Sequence, residues 1–144
     1  MEEVRDSMAT SEPVVMSWKK EGLPLEGATA HGRLDMASGL DEPGQGPTPM
    51  ELLAASLADC TSMDVISILQ KMRQPLEGLR VEVRSERADG HPKRFVSTEV
   101  VYYLKGALDE KVRRAIELSE TKYCSVEATL RPAASISSRY VLEA

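Results

Sequence analysis

The sequence predicts an α+β fold, and three observations carry that prediction. The apolar stretch from Thr48 to Met72 opens with a helix start signal and reads as one long helix. Three short alternating segments precede it, and longer alternating segments follow it. Strand runs grouped around few helices point to α+β rather than to a doubly wound parallel sheet. The predicted order is βββ-α-ββ-α-ββ, with antiparallel sheets around a buried central helix.

The chain has 144 residues, which fits a single domain with a real core. Residues 1–12 are polar, acidic and aperiodic and are expected to be a flexible terminus, leaving 13–144 as the domain. Hydrophobic content of 42% and charged content of 28% are those of an ordinary globular protein. A net charge of −5 argues against nucleic-acid binding, which favours a basic stripe.

Val14 to Lys19, Leu23 to Ala30 and Arg33 to Ala37 read as three strands of an antiparallel meander. Ser38 to Pro47 is dense in Gly and Pro and reads as a loop. The central helix follows. Thr48 is its expected N-cap, Pro49 its first residue, and Glu51 completes a capping box. Its first turns are apolar on nearly every side, which predicts burial on every side. It reads as too short, and too interrupted by Glu51, Asp59 and Asp64, to span a membrane. A chain of this size has few surfaces to cover such a helix, so a homodimer in which two of them meet is expected.

Pro75 limits the helix. Leu79 to Arg87 and Arg94 to Lys105 read as two strands joined by a hairpin. Asp109 is the expected cap of a second helix reaching about Lys122, with Val112, Ala115, Ile116 and Ser119 on one face. Thr129 to Leu142 reads as extended, with Pro132 at a break between two strands or at an edge.

The chemistry rests on two cysteines, Cys60 in the central helix and Cys124 just after the second, 64 positions apart. With no signal peptide, they fit thiols in a reducing cytoplasm. His31 and His91 lack ligand spacing, so no metal site and no bound cofactor is expected. If folding brings the Cα atoms within about 6 Å, the pair can cycle between dithiol and disulfide. One thiolate attacks a peroxide O–O bond and the other resolves the sulfenic acid. The bland alternative is that both are small buried hydrophobes. Asp64 lies one turn from Cys60 and can share its face, where a carboxylate disfavours a thiolate. It needs a partner, for which Lys122 and Tyr123 are candidates.

The segments PMELLAASLADC, MDVISIL and KYCSV resemble the OsmC/Ohr family, in its YhfA-like branch, from about Trp18 to the C-terminus. The resemblance implies an intertwined homodimer with active sites at the subunit interface. It implies a thiol-dependent peroxidase that reduces organic hydroperoxides to alcohols in oxidative stress defence. Cys60 then corresponds to the attacking cysteine and Cys124 to the resolving one. The reductant is an external thiol, such as a lipoyl-type dithiol. The family's peroxidases place a glutamate ten residues before the attacking cysteine, paired with an arginine of the N-terminal hairpin. Here that position is Met50, and Glu51 is nine back. Glu51 is therefore a candidate for catalysis or only for capping. Lys19, Lys20 and Arg33 are the candidate cationic partners, and only Arg33 has the guanidinium. Two other functions stay open. One is a binding module with an apolar cleft at the subunit interface beside Cys60, lined by Leu53, Leu57 and Met63. The other is a thiol–disulfide exchanger.

Overall fold

The structure, a computed structural model, describes residues 12–38 and 46–144. Most of the expected flexible terminus 1–12, and residues 39–45 of the expected loop, lie outside the described residues. The chain divides into two compact units, one ending at Leu52 and one beginning at Leu53.

The first unit holds an antiparallel sheet of β1 (Val15–Trp18), β2 (Leu25–Ala28) and β3 (Arg33–Asp35), in that order. This is the meander the alternation predicted. Its register sets Trp18 against Leu25 and Arg33 against Ala28. The Lys19 ammonium pairs with Asp35 at 3.1 Å.

Helix α1 (Pro49–Lys71) begins in the first unit and runs on into the second. The capping box forms: the Thr48 amide donates to Glu51 Oε1 at 3.0 Å, and the Glu51 amide donates to Thr48 Oγ1 at 3.3 Å. At its other end Arg73 takes the left-handed conformation (φ 58°), and the Gln74 amide donates back to the Leu69 carbonyl. That is the Schellman closure, made here without glycine. At 23 residues α1 is long and apolar enough to cross a bilayer by length and composition, which corrects the expectation that it is too short. Its packing marks it as a core helix on one face only, which corrects the expectation of burial on every side: Glu51, Ala55, Asp59 and Met63 form an exposed stripe. Leu57, Thr61, Val65 and Leu69, spaced four apart, are all buried. Burying each of the three apolar side chains contributes about 1.5–3 kcal/mol.

In the second unit β4 (Gly78–Arg87), β5 (Phe95–Lys105) and β6 (Ser135–Glu143) form a sheet with β5 in the middle. Val100, Tyr102 and Leu104 of β5 face the α1 stripe and complete one core with Val112, Ala115 and Ile116 of α2 (Asp109–Leu118). Gly106 closes β5 at φ +97°, where a Cβ would lie 2.3 Å from the Pro75 carbonyl oxygen, so only glycine fits.

The C-terminal part departs from the prediction. Leu108 occupies the cap position of α2 without a side-chain cap bond, and its amide is taken by Gln74 Oε1 at 3.0 Å. Asp109 sits in the first turn instead, tied to Arg113 and to the Tyr140 hydroxyl. After α2 comes a widened π turn, Ser119–Tyr123, and then a third helix, α3 (Ser125–Leu130). A single strand follows where two were expected. It pairs parallel to β5, so the sheet is mixed. Residues 106–134 supply the long crossover that parallel pairing requires.

Candidate active site at the paired thiols

Cys60 is half-buried on α1, beside the buried stripe. Asp64, one turn further, shares its face, as the i,i+4 spacing predicted. Thr61 between them is buried, and its hydroxyl is committed to the carbonyls of Leu57 and Ala58.

Cys124 reaches the site through the π turn, whose wide ring is closed by the Cys124 amide donating to the Ser119 carbonyl at 2.8 Å. π turns recur at functional sites because the extra residue redirects the chain. Cys124 then serves as the N-cap of α3, its Sγ accepting from the Glu127 amide at 3.3 Å. A thiol stands where serine or aspartate is usual. The residue is 4% exposed.

These elements bring Cys60 Sγ, Cys124 Sγ and an Asp64 carboxylate oxygen within 4.8 Å of one another. Both thiols are free. The expected partners of Asp64, Lys122 and Tyr123, are instead exposed and packed on each other. Ser119 takes that role, its hydroxyl donating to Asp64 Oδ2 at 2.9 Å. Ser119 is fully buried because it lies on the apolar face of the helix pattern, and a hydroxyl there needs an acceptor.

The electrostatics favour a neutral Cys124 thiol. Burial pushes the Cys124 thiol up to about 12, with Cys60 and Glu127 adding to the effect and the Glu127 amide opposing it. Glu127 is 4% exposed, and burial raises its pKa too, helped by Glu120 and opposed by Arg131. The Tyr102 hydroxyl is buried, and burial raises its pKa, opposed by the neighbouring Thr61 hydroxyl. Sequence reasoning passed over Glu127 and Tyr102. The signal for Glu127 was Cys-x-x-Glu at a helix start, the spacing of a capping box with sulfur as cap.

The remaining candidates lie in the first unit. Glu51 is exposed and holds the capping box, whose Thr48 bonds lower its pKa. Arg33 is exposed at the start of β3. The second unit also carries an apolar groove of about 570 Å³ between α1 and β4. Ala55, Ala58, Ser62 and Ile66 line it, roughly half a turn around α1 from Cys60 and Asp64. Leu53, Leu57 and Met63, expected around a cleft beside Cys60 at a subunit interface, belong to other faces of the helix: Leu57 lies in the core and Met63 is exposed.

Residues 42–139 match the family model for OsmC-like protein. Protein YhfA of Escherichia coli (strain K12) is 35% identical over 122 residues, 83% of this chain and 90% of YhfA. A hypothetical protein from Aquifex aeolicus VF5 superposes with a TM-score of 0.79 at 29% identity, covering 95% of this chain and all of its own. An organic hydroperoxide resistance protein OsmC from Legionella pneumophila superposes with a TM-score of 0.68 at 15% identity, over 93% of this chain and 98% of its own, a likeness of fold.

Proposed function

This chain belongs to the OsmC-like family, and from that premise we propose that it is a thiol-dependent peroxidase that reduces organic hydroperoxides through a Cys60–Cys124 disulfide. The family includes cysteine-based peroxidases. The observation that carries the reading is the meeting of two free thiols from elements 64 positions apart, one accessible and one buried.

The Cys60 thiolate attacks the terminal oxygen of the hydroperoxide. The O–O bond breaks, the alkoxide takes a proton and leaves as the alcohol, and Cys60 becomes a sulfenic acid. The Cys124 sulfur then displaces the hydroxyl, which leaves as water with the Cys124 proton, and the disulfide forms. An external dithiol, lipoyl-type in the family's pattern, returns two electrons and two protons. The setting is a reducing cytoplasm. On the same reading Arg33, from either copy of the chain, supplies the positive charge that favours the thiolate, and Arg33→Ala slows the first oxidation.

The active form on this reading is a homodimer. The apolar groove along α1 supports it, because exposed Ala55 and half-buried Ala58 and Ile66 beside Leu79, Val81 and Val83 leave a face for a second copy. A second reading, a protein that keeps the fold and binds without turnover, is favoured by one observation: a carboxylate oxygen, that of Asp64, lies within 4.8 Å of both sulfurs, where its charge disfavours a thiolate.

Stopped-flow oxidation of the reduced protein with cumene hydroperoxide and with hydrogen peroxide, followed by intact mass without reductant, separates the two. A fast phase with the organic peroxide and a loss of two hydrogens is the expected result. No reaction, or slow over-oxidation of one thiol, overturns the peroxidase reading.

A further inference from the structure

We propose that the reduced protein holds one divalent ion of the zinc type, bound by Cys60 Sγ, Cys124 Sγ and an Asp64 carboxylate oxygen. The sequence argued against zinc because its histidines lack ligand spacing. The folded chain supplies a carboxylate as third donor instead. The three donor atoms lie within 4.8 Å of one another. A tetrahedral zinc with Zn–S about 2.3 Å and Zn–O about 2.0 Å sets its donors about 3.5–3.8 Å apart. Small side-chain rotations therefore close the set around an ion, whereas a disulfide draws the sulfurs to about 2.05 Å.

The donors come from rigid places. Two are one turn apart on α1, and the third caps α3. Each element also carries an outer bond of the kind that orients metal ligands. The Ser119 hydroxyl holds Asp64 Oδ2, and the Glu127 amide points at Cys124 Sγ. Charge argues the same way. Once a metal has displaced their protons, two thiolates and a carboxylate gathered inside the fold need compensation. Among the described residues, Asp64 makes no ion pair. A dication provides that charge, and each thiol releases its proton on binding. Paired thiolates select zinc-type ions over magnesium or calcium. Three protein ligands leave a fourth position for water or for the sulfur of a small thiol.

The metal form and the disulfide exclude each other, since both use the same two sulfurs. The inference stands on the geometry and does not require peroxidase activity. It is tested with the full chain, reduced, stripped with chelator and kept free of oxygen, by titration with Co²⁺. Expected are thiolate-to-cobalt charge-transfer absorption and tetrahedral d–d bands, saturating at one ion per chain and displaced by Zn²⁺. Ser119→Ala lowers the affinity about 10–100-fold, as loss of an outer-shell partner does. Asp64→Asn lowers it further, and Cys124→Ser weakens binding most and at least halves the charge-transfer absorption per bound ion, since one thiolate of two is lost. Where a variant does not fold, disulfide-oxidised wild-type protein replaces it and binds no cobalt. Absence of the charge-transfer band in the reduced chain overturns the proposal, as does equal binding by the oxidised chain. Peroxide turnover is read separately, so cobalt binding without turnover removes the proposed peroxidase and leaves the metal site, and the reverse result does the opposite.

Discussion

Helix α1 carries two polar clusters that differ in how they are made. At its start, Thr48 and Glu51 satisfy each other across three positions, in solvent. In its middle, Cys60 and Asp64 meet Ser119 and Cys124, which lie 55 and 64 positions away in the chain and arrive through a π turn and the cap of a third helix. The first cluster lowers the pKa of its acid, while the second raises that of its buried thiol. A local cluster stabilises one helix end. A nonlocal cluster gathers groups that resist being charged together, and that is an arrangement suited to chemistry.

The largest effect is expected at Cys60. Cys60→Ser is expected to abolish both the fast peroxide phase and the disulfide seen by intact mass. A surviving fast phase places the nucleophile elsewhere. Next is the bond that joins the two halves of the nonlocal cluster. Ser119→Ala removes a donor to a carboxylate and should cost about 1.5–3 kcal/mol in urea unfolding.

The buried thiol sharpens the contrast through pH. Cys124 holds its proton up to about 12 in the folded chain against an ordinary 9.0. The folded state thus binds that proton more tightly than the unfolded state. Its stabilising contribution is whole below pH 9 and is lost as pH rises toward 12. Thermal melts across that range should show the loss, and Cys124→Ala should flatten it. Disulfide closure after oxidation of Cys60 should quicken over the same range.

The smallest effect is at the local cluster. Thr48→Ala should cost about 1 kcal/mol of stability and leave the thiol chemistry as it was. Glu51→Gln keeps a side chain able to close the capping box, so its oxidation rate separates capping from catalysis. An unchanged rate is expected, and a large fall assigns the carboxylate to the reaction.

What the chain alone determined follows from short-range physics. The start of α1 was legible because Thr48, Pro49 and Glu51 announce it within four residues. The strands were legible because alternation has a period of two, and α2 because Val112, Ala115 and Ile116 recur on one face. Both reactive residue types were legible as well, with Asp64 placed on the Cys60 face by helical spacing. Three things came only with the fold. Helix α3 was hidden because its cap is a sulfur and its length only six residues. The parallel placement of β6 depends on where a long crossover returns the chain, which no local pattern records. The meeting of Cys124 and Ser119 with Cys60 and Asp64 was decided by how α1, β5 and α2 pack into one core. Contacts between residues so far apart are fixed by that packing and by the π turn it accommodates, and periodicity cannot express them.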